Sequence, residues 1–376
     1  MATSYYAPAN VCTPSRAGLL TGRYPVRTGL GHNVILADDR RGLPLSEPTI
    51  AKALGPDYAT ALIGKWHLGH VEPYWPPTQH GFDTFFGIPY SHDIEPLVLY
   101  EASLSHALRA VPHTLETLQQ QFSMAAEAFV ERNRDRPFFL ELALSAPHLP
   151  CHPSKLYRGR TQQGPFGDVV LEIDAIVGRL LDQLRRLHLA DDTLVIFTSD
   201  NGPWFEGSAG GLRDRKGGAG YDGGYRVPFI AWQPGTVPAG QRTDALLCGI
   251  DLLPTFCAMA GKRLPANVTL DGCDIGPVLR TGGRSPSPRK ELLLFNNEDV
   301  VAIRTPHWKL VDRSYYRGTL MRTGPRGYPQ LYDVTQDPDE SYSVAERHPD
   351  VMVELARRLE AARFELAPFR RVPASG

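Results

Sequence analysis

Apolar residues fall in runs that alternate with helical patterns over the first 284 residues of the chain. Four runs are almost wholly apolar and are typical of strands buried on both faces of a sheet: 59–66, 137–148, 193–202 and 227–232. Three other segments are predicted to be helices: 14–22, 115–133 and 167–189. Strands that alternate with helices predict an α/β fold with a large, mostly parallel central sheet flanked by helices.

The pattern changes after about residue 285, where short apolar strands lie close together. These strands are predicted at 291–295, 300–305, 308–311 and 331–334, and a charged amphipathic helix is predicted at 349–366. A small antiparallel sheet with one helix accounts for this order. We therefore expect a larger α/β unit over residues 1–284 and a C-terminal subdomain over residues 285–376.

Composition narrows the range of functions. The chain has 376 residues and a formal net charge of −1, so no basic field favours nucleic acid as a partner. It has no run of 18 apolar residues and no basic-then-apolar start, so we expect no membrane span and assign no localisation. The five cysteines include no CxxC pair, which argues against structural zinc, and their odd number leaves at least one thiol unpaired or chemically altered.

Polar residues follow the predicted strands at the edge where α/β proteins bind ligands. Taken singly, each of them is more often an ordinary surface residue. Together they supply two lysines, two histidines and an oxygen pair, a set that suits a tetrahedral anion beside a divalent cation such as Ca²⁺, with Mg²⁺ as the alternative. The set is Lys65, His67, His148, Asp200, Asn201 and Lys216.

The segment VCTPSRAGLLTGR (11–23) places a cysteine where a helix begins. Thr13 is the predicted N-cap and Pro14 the first helical residue. A helix N-terminus stabilises negative charge on Cys12 or on a bound anion, and Arg16 adds a cation one turn later. Chemistry alone leaves open a simpler interpretation, in which Cys12 is a buried core residue and Arg16 is solvated.

The order of several motifs resembles that of the formylglycine-dependent sulfatases, which have an alkaline-phosphatase-like fold. Cys12 to Arg16 and the downstream LTGR resemble the family motif C-x-P-S-R with T-G-R. The segment GIPYSHD resembles the arylsulfatase A and N-acetylgalactosamine-6-sulfatase branch. The remaining matching segments follow in the family's order: GKWHLG (64–69), GIPYSHD (87–93), SAPH (145–148), TSDNG (198–202), RKGGAGYDGG (215–224) and LYDVTQDPDE (331–340).

This resemblance implies a sulfuric ester hydrolase with a nucleophile made after translation. A formylglycine-generating enzyme would oxidise Cys12 to an aldehyde, and its hydrate would attack sulfur and then release sulfate. The implied substrate is a small-molecule or glycan sulfate ester. The resemblance implies that Arg16 binds the hydrated aldehyde and that His67 helps to deprotonate it. Lys65 and Lys216 would bind sulfate oxygens, Ser91 would add a hydrogen bond, and His148 would be the general acid. Asp200 and Asn201 would bind the metal, whereas His92 and Asp93 are interpreted as loop structure.

One part of the family pattern is not found. The family places an aspartate pair at the end of a strand upstream of the cysteine, whereas the eleven residues before Cys12 contain no acid. We therefore expect that strand and its aspartates to be lacking, which would weaken metal binding and leave an unpaired sheet edge beside apolar surface. The pair Asp38 and Asp39 lies after the nucleophile, and we do not expect it to replace them.

Three other functions stay open on the sequence. A phosphonate or phosphate monoester hydrolase of the same fold would also bind a tetrahedral anion. An inactive homologue would only bind ligand. A generic cysteine-nucleophile hydrolase has little support, because no Cys–His pattern exists outside the set above.

Overall fold

A computed structural model describes residues 1–316, 319–322, 328 and 330–371. The strands are β1 Tyr5–Tyr6, β2 Ala59–Lys65, β3 Thr84–Ile88, β4 Leu99–Ser103, β5 His106–Val111, β6 Phe138–Ala143, β7 Val195–Thr198, β8 Phe229–Trp232, β9 Leu247–Cys248, β10 Leu292–Asn296, β11 Asp299–Arg304, β12 Trp308–Val311, β13 Arg313–Tyr316, β14 Thr319–Arg322 and β15 Gln330–Asp333. The α-helices are α1 Cys12–Thr21, α2 Ile50–Leu54, α3 Leu118–Arg132, α4 Gly164–Arg186, α5 Leu252–Met259, α6 Gly276–Arg280 and α7 Pro349–Leu366.

The main sheet has five strands in the order β5-β4-β3-β2-β6. Strand β2 pairs in parallel with β3 and β6, and every residue of β2 is buried, as expected for a strand covered on both faces. Gly87 on β3 allows close approach, because a Cβ there would lie 1.8 Å from the carbonyl oxygen of Gly64 on β2. The predicted α/β architecture is confirmed, with parallel pairing limited in this sheet to β2, β3 and β6.

Strands β4 and β5 extend this sheet as an antiparallel hairpin. The sequence analysis predicted no strand in this part of the chain. Strand β5 is mostly exposed, so it lacks the apolar run by which the buried strands were recognised.

A second pair of strands lies apart from the main sheet. Strand β7 pairs antiparallel with β8, so β6 and β7 each keep one edge without a strand partner among the described residues. Both strands and the apolar face of α4 line one cavity of about 1850 Å³. Unpaired edges beside apolar surface are thus present, as expected. The lacking strand and the division between residues 284 and 285 stay predictions.

The C-terminal sheet has the order β10-β11-β12-β15 and is antiparallel throughout. Helix α7 contacts β11 and β12. Its buried residues Met352, Leu355, Leu359 and Leu366 recur at helical spacing, so one stripe of the helix faces the sheet. The predicted small antiparallel sheet with one helix is confirmed.

A buried charged cluster joins this sheet to the glycine-rich segment around residue 216. Lys309 Nζ on β12 lies 2.6 Å from Asp222 Oδ1 and 2.5 Å from Glu340 Oε1, and all three side chains are buried. The hydroxyl of Tyr6 donates to Asp222 Oδ2 at 2.8 Å, and the backbone N–H of Asp222 donates to Glu340 Oε2 at 2.7 Å. Two carboxylates therefore bind one ammonium group, and Tyr6 donates to one of these carboxylates.

Two absences bear on the predictions made from composition. Among the described residues, no helix combines the length and apolar character needed to cross a membrane. All five cysteines lie in the described part of the chain, and none of them forms a disulfide.

We expect Lys309→Met to lower the free energy of unfolding by about 3–5 kcal/mol, because it leaves Glu340 buried without its cation and Asp222 with only the longer ion pair to Arg226, at 3.4 Å. Urea denaturation measures this loss. The exposed Lys290→Met should change the same quantity by less than about 0.5 kcal/mol. Equal stability of the two variants would show that the cluster does not hold the C-terminal sheet.

Candidate active site

Cys12 is the first residue of α1, and its side chain is buried in the wall of the large cavity. The N-cap is Val11, with extended backbone angles, so the prediction that Thr13 caps this helix is wrong. Thr13 lies one residue inside the helix, where its hydroxyl donates to the backbone carbonyl of His67 at 2.9 Å. That bond fixes the start of α1 against the segment that follows β2.

Arg16 joins three parts of the site. Its Nε donates to Asp200 Oδ2 at 2.9 Å, and its Nη1 donates to the backbone carbonyl of Lys65 at 2.9 Å. The side chain is only 11% exposed, which excludes the simpler interpretation of a solvated arginine. Lys65, the last residue of β2, places its Nζ 3.1 Å from Cys12 Sγ. The structure therefore brings Cys12, Arg16, Lys65 and Asp200 together.

His67 lies beyond the end of β2, in a left-handed backbone conformation with φ 62°. Its Nε2 donates to the backbone carbonyl of Ile35 at 2.9 Å, an assignment that leaves Nδ1 as the acceptor. Nδ1 is buried and has no hydrogen-bond partner among the described residues. Burial and the charge of Lys65 hold the pKa of His67 well below its ordinary value, so the imidazole is neutral.

His148 and Lys216 form a second contact in the site. Lys216 Nζ lies 2.9 Å from His148 Nε2, while His148 Nδ1 donates to the carbonyl of Leu149 at 2.7 Å. Burial and the charges of Lys65 and Lys216 lower the pKa of His148 to about 4. Asp93 Oδ1 lies 3.6 Å from His148 Nδ1, and the interpretation of Asp93 as loop structure stays a prediction.

Asp200 and Asn201 follow the end of β7, as predicted. Burial opposes ionisation of Asp200, but the charges of Arg16, Lys65 and Lys216 outweigh it and hold the pKa of Asp200 well below its usual range. Asn201 Oδ1 is buried without a hydrogen-bond partner in the described part of the chain. A hard oxygen acceptor without a donor is what a divalent cation needs.

These two oxygen donors fit a divalent cation in kind, but they are few. Among the described residues, no group of three or more His, Cys, Asp or Glu side chains is placed to hold a metal. Asp38 and Asp39 do not line the cavity, and Asp39 pairs with Arg41 at 2.5 Å. The donor set therefore fits a cation that takes most of its ligands from solvent or substrate.

Two further polar groups face the same cavity. Ser91 Oγ is buried and lacks a hydrogen-bond partner among the described residues. Glu141, on β6, was missed by the sequence analysis, although a carboxylate inside the apolar run PFFLELAL was a visible signal. Burial raises the pKa of Glu141 to about 7, and the charge of Arg16 offsets part of that rise.

Comparison with known proteins explains the combination of a buried cysteine, paired cations and oxygen donors. The family model described as Sulfatase matches residues 1–262, which is more than half of the chain. The chain belongs to the sulfatase family. It is therefore a hydrolase of sulfate esters, in a family whose nucleophile is formylglycine.

This sulfatase is similar to arylsulfatase A of Homo sapiens, with 37% identity over 97% of this chain and 80% of that protein. It is 38% identical to N-acetylgalactosamine-6-sulfatase of Sus scrofa, over 76% of this chain and 60% of that protein. Among solved structures, the PsFucS1 sulfatase from Pseudoalteromonas sp. superposes with a TM-score of 0.89, at 27% identity, covering 98% of this chain and 83% of that one. The predicted family and branch are confirmed.

We expect Lys216→Met to raise the pKa of His148 from about 4 toward the ordinary 6.5, because one of the cations that oppose protonation is removed. NMR titration of the His148 ring measures the shift, and Lys290→Met, a change at an exposed lysine, should leave it unaltered.

The same shift has a consequence for stability. Because the folded pKa lies below the unfolded one, the unfolded chain binds more protons between pH 6.5 and 4. The free energy of unfolding should therefore fall as pH falls through that window, and this loss should be smaller in Lys216→Met. An unchanged pKa in the variant would contradict the Lys216–His148 contact.

Proposed function

We propose that this sulfatase cleaves sulfate monoesters at the N-terminus of α1, with Cys12 converted to formylglycine as the nucleophile. The observation that carries the proposal is the 3.1 Å contact between Lys65 Nζ and Cys12 Sγ. Arg16 donates to the backbone carbonyl of the same lysine. The formylglycine-generating enzyme is the partner that this maturation requires. Once formed, the hydrated aldehyde supplies an oxygen nucleophile and a second hydroxyl that allows release of sulfate.

Arg16 and His67 prepare the nucleophile in this proposal. Arg16 holds the modified side chain by charge-assisted hydrogen bonding, and its bonds to Lys65 and Asp200 keep the guanidinium fixed. His67 is neutral, and its buried Nδ1 has no hydrogen-bond partner among the described residues. Nδ1 therefore accepts the proton that the nucleophile loses.

Lys65, Lys216 and Ser91 bind the sulfate oxygens. Two ammonium groups neutralise the charge that develops on these oxygens in the transition state, and the unpartnered hydroxyl of Ser91 adds a donor. The bound anion also counters the cations that keep His148 neutral, so His148 gains a proton with substrate present. In that form His148 donates to the oxygen of the departing alcohol.

Asp200 and Asn201 are the proposed ligands of Ca²⁺, with Mg²⁺ as the alternative. Asp200 provides a permanently ionised carboxylate, and Asn201 provides an amide oxygen that lacks any other partner among the described residues. A divalent cation held by these two residues would supply polarisation of the sulfate ester. The substrate is a small-molecule or glycan sulfate ester, in keeping with a relative named for a sulfated amino sugar.

Mass spectrometry of the peptide that contains Cys12, combined with turnover of nitrophenyl sulfate, tests the proposed nucleophile. We expect an aldehyde in place of the thiol, and a loss of turnover of at least about a thousandfold in Cys12→Ala. Cys257→Ala, at a buried thiol that does not line the cavity, is the matched control and should retain turnover. An unmodified Cys12 without turnover would favour an inactive homologue, and faster turnover of nitrophenyl phosphate would favour a phosphate ester hydrolase.

The leaving alcohol tests the role of His148. We expect His148→Asn to slow hydrolysis of a sugar sulfate by about a hundredfold, because a poor leaving group needs a proton from the enzyme. Nitrophenolate leaves without that help, so turnover of nitrophenyl sulfate should fall by less than about tenfold. An equal loss with both esters would argue against His148 as the general acid.

A further inference from the structure

An exposed aromatic pair lies in the loop that follows β7, close in sequence to the proposed metal ligands. Trp204 and Phe205 follow Asn201 by three and four residues, and their exposed fractions are 47% and 66%. The two rings meet edge to face, with centroids 4.7 Å apart, and Trp204 lines the catalytic cavity. Large aromatic side chains exposed together beside a polar site are typical of ligand contacts.

The backbone of this pair is tied to the catalytic lysine. The N–H of Lys216 donates to the carbonyl of Pro203, directly before Trp204, at 3.0 Å. The ammonium group of the same lysine contacts His148. The proposed function, on which this inference rests, makes His148 the acid that protonates the departing alcohol. Trp204 is thus anchored on the side of the site where the alcohol leaves.

Arg215 adds a cation to the pair. Its guanidinium carbon lies 4.5 Å from the centroid of the Phe205 ring, and no carboxylate among the described residues forms an ion pair with it. The carboxylate of neighbouring Asp214 accepts the backbone N–H of Arg215 instead. By contrast, Arg213 donates to the hydroxyl of Tyr332 and to a backbone carbonyl. Arg215 is therefore oriented by an aromatic ring while its own donors stay available.

The acidic residue nearest in sequence to the aromatic pair lines the same cavity as Trp204. Glu206 lines the cavity, and its charge raises the pKa of Cys151, after the larger effect of burial. Arg215 and Lys216 follow in the same loop, and both are partly exposed, so two cations as well as this carboxylate lie close to the aromatic pair in sequence.

We propose that Trp204, Phe205 and Arg215 form a subsite for the alcohol part of the ester, and that this alcohol is a sugar ring with a second anionic group. The indole of Trp204 packs on the C–H face of the ring. Arg215 binds a carboxylate or a second sulfate by paired hydrogen bonds, a geometry that matches its planar fork. Phe205 holds the guanidinium in position.

Three substrates distinguish an effect on this subsite from an effect on the reaction. They are a sugar monosulfate, the same sugar with a second sulfate, and nitrophenyl sulfate. We expect wild-type enzyme to prefer the disulfated sugar by about tenfold in kcat/KM, through a lower KM. Arg215→Gln should abolish that preference and leave nitrophenyl sulfate turnover within about twofold. Trp204→Ala should raise KM for both sugars by about fivefold, and Trp204→Phe should restore part of the loss.

Exposed residues on α7 provide matched controls, since Arg357→Gln and Phe364→Ala remove the same kinds of side chain far along the chain. Both should leave all three substrates unaffected. Turnover of nitrophenyl sulfate with no preference between the sugars, or an equal loss of all three activities in Arg215→Gln, would overturn the subsite.

Binding measurements test the subsite independently of turnover. Calorimetric titration with the two sugars should show about tenfold tighter binding of the disulfated one, and Arg215→Gln should remove the difference. This result would support the subsite even if no ester were hydrolysed. Absence of hydrolysis would count against the proposed reaction alone. Equal binding of the two sugars by wild-type protein would overturn the subsite whatever the activity.

Discussion

The active site depends on one guanidinium group that connects two separate sheets. Lys65 belongs to the five-stranded sheet, whereas Asp200 follows the β7–β8 pair, and no strand among the described residues joins the two. Arg16 bonds to both, at 2.9 Å each. The proposed sulfate-binding lysine and the proposed metal-binding carboxylate are therefore linked directly by a single side chain from α1. A shorter side chain at this position could not reach both partners, so its length matters as much as its charge.

Hydrophobic patterning predicted the buried part of the fold because continuous apolar runs need cover on both faces. Strands β2, β6, β7 and β8 and helices α3 and α7 all fall within the segments expected, and α4 begins and ends three residues earlier than predicted. The pairing of the strands was harder to predict, because a strand that is apolar on both faces does not show which edge meets which neighbour. The β4–β5 hairpin was missed for the opposite reason, since an exposed strand resembles a loop in composition.

The site followed from topology together with the family resemblance. The ends of parallel strands share one edge of a sheet, so residues far apart in sequence, such as Lys65 and His148, could be expected to meet. Contacts that depend on loop conformation could not be predicted. Asp93 reaches His148, and Thr13 bonds to the backbone of His67, through turns that no periodicity encodes. Glu141 was hidden because its neighbours made the whole segment look like core.

Two sets of contacts hold the glycine-rich segment in place, and the buried Lys309 cluster is one of them. Asp222 anchors the later part of the glycine-rich segment, and the bond from Lys216 to Pro203 anchors the earlier part. The stretch between Pro203 and Lys216 projects between these fixed points, and it contains the exposed aromatic pair. If the proposed subsite is correct, substitutions at the exposed Trp204 and Phe205 alter contacts with the alcohol and leave the bond between Lys216 and Pro203 in place. The same scaffold can therefore acquire new substrate preferences in evolution, one surface residue at a time, with little loss of folding stability.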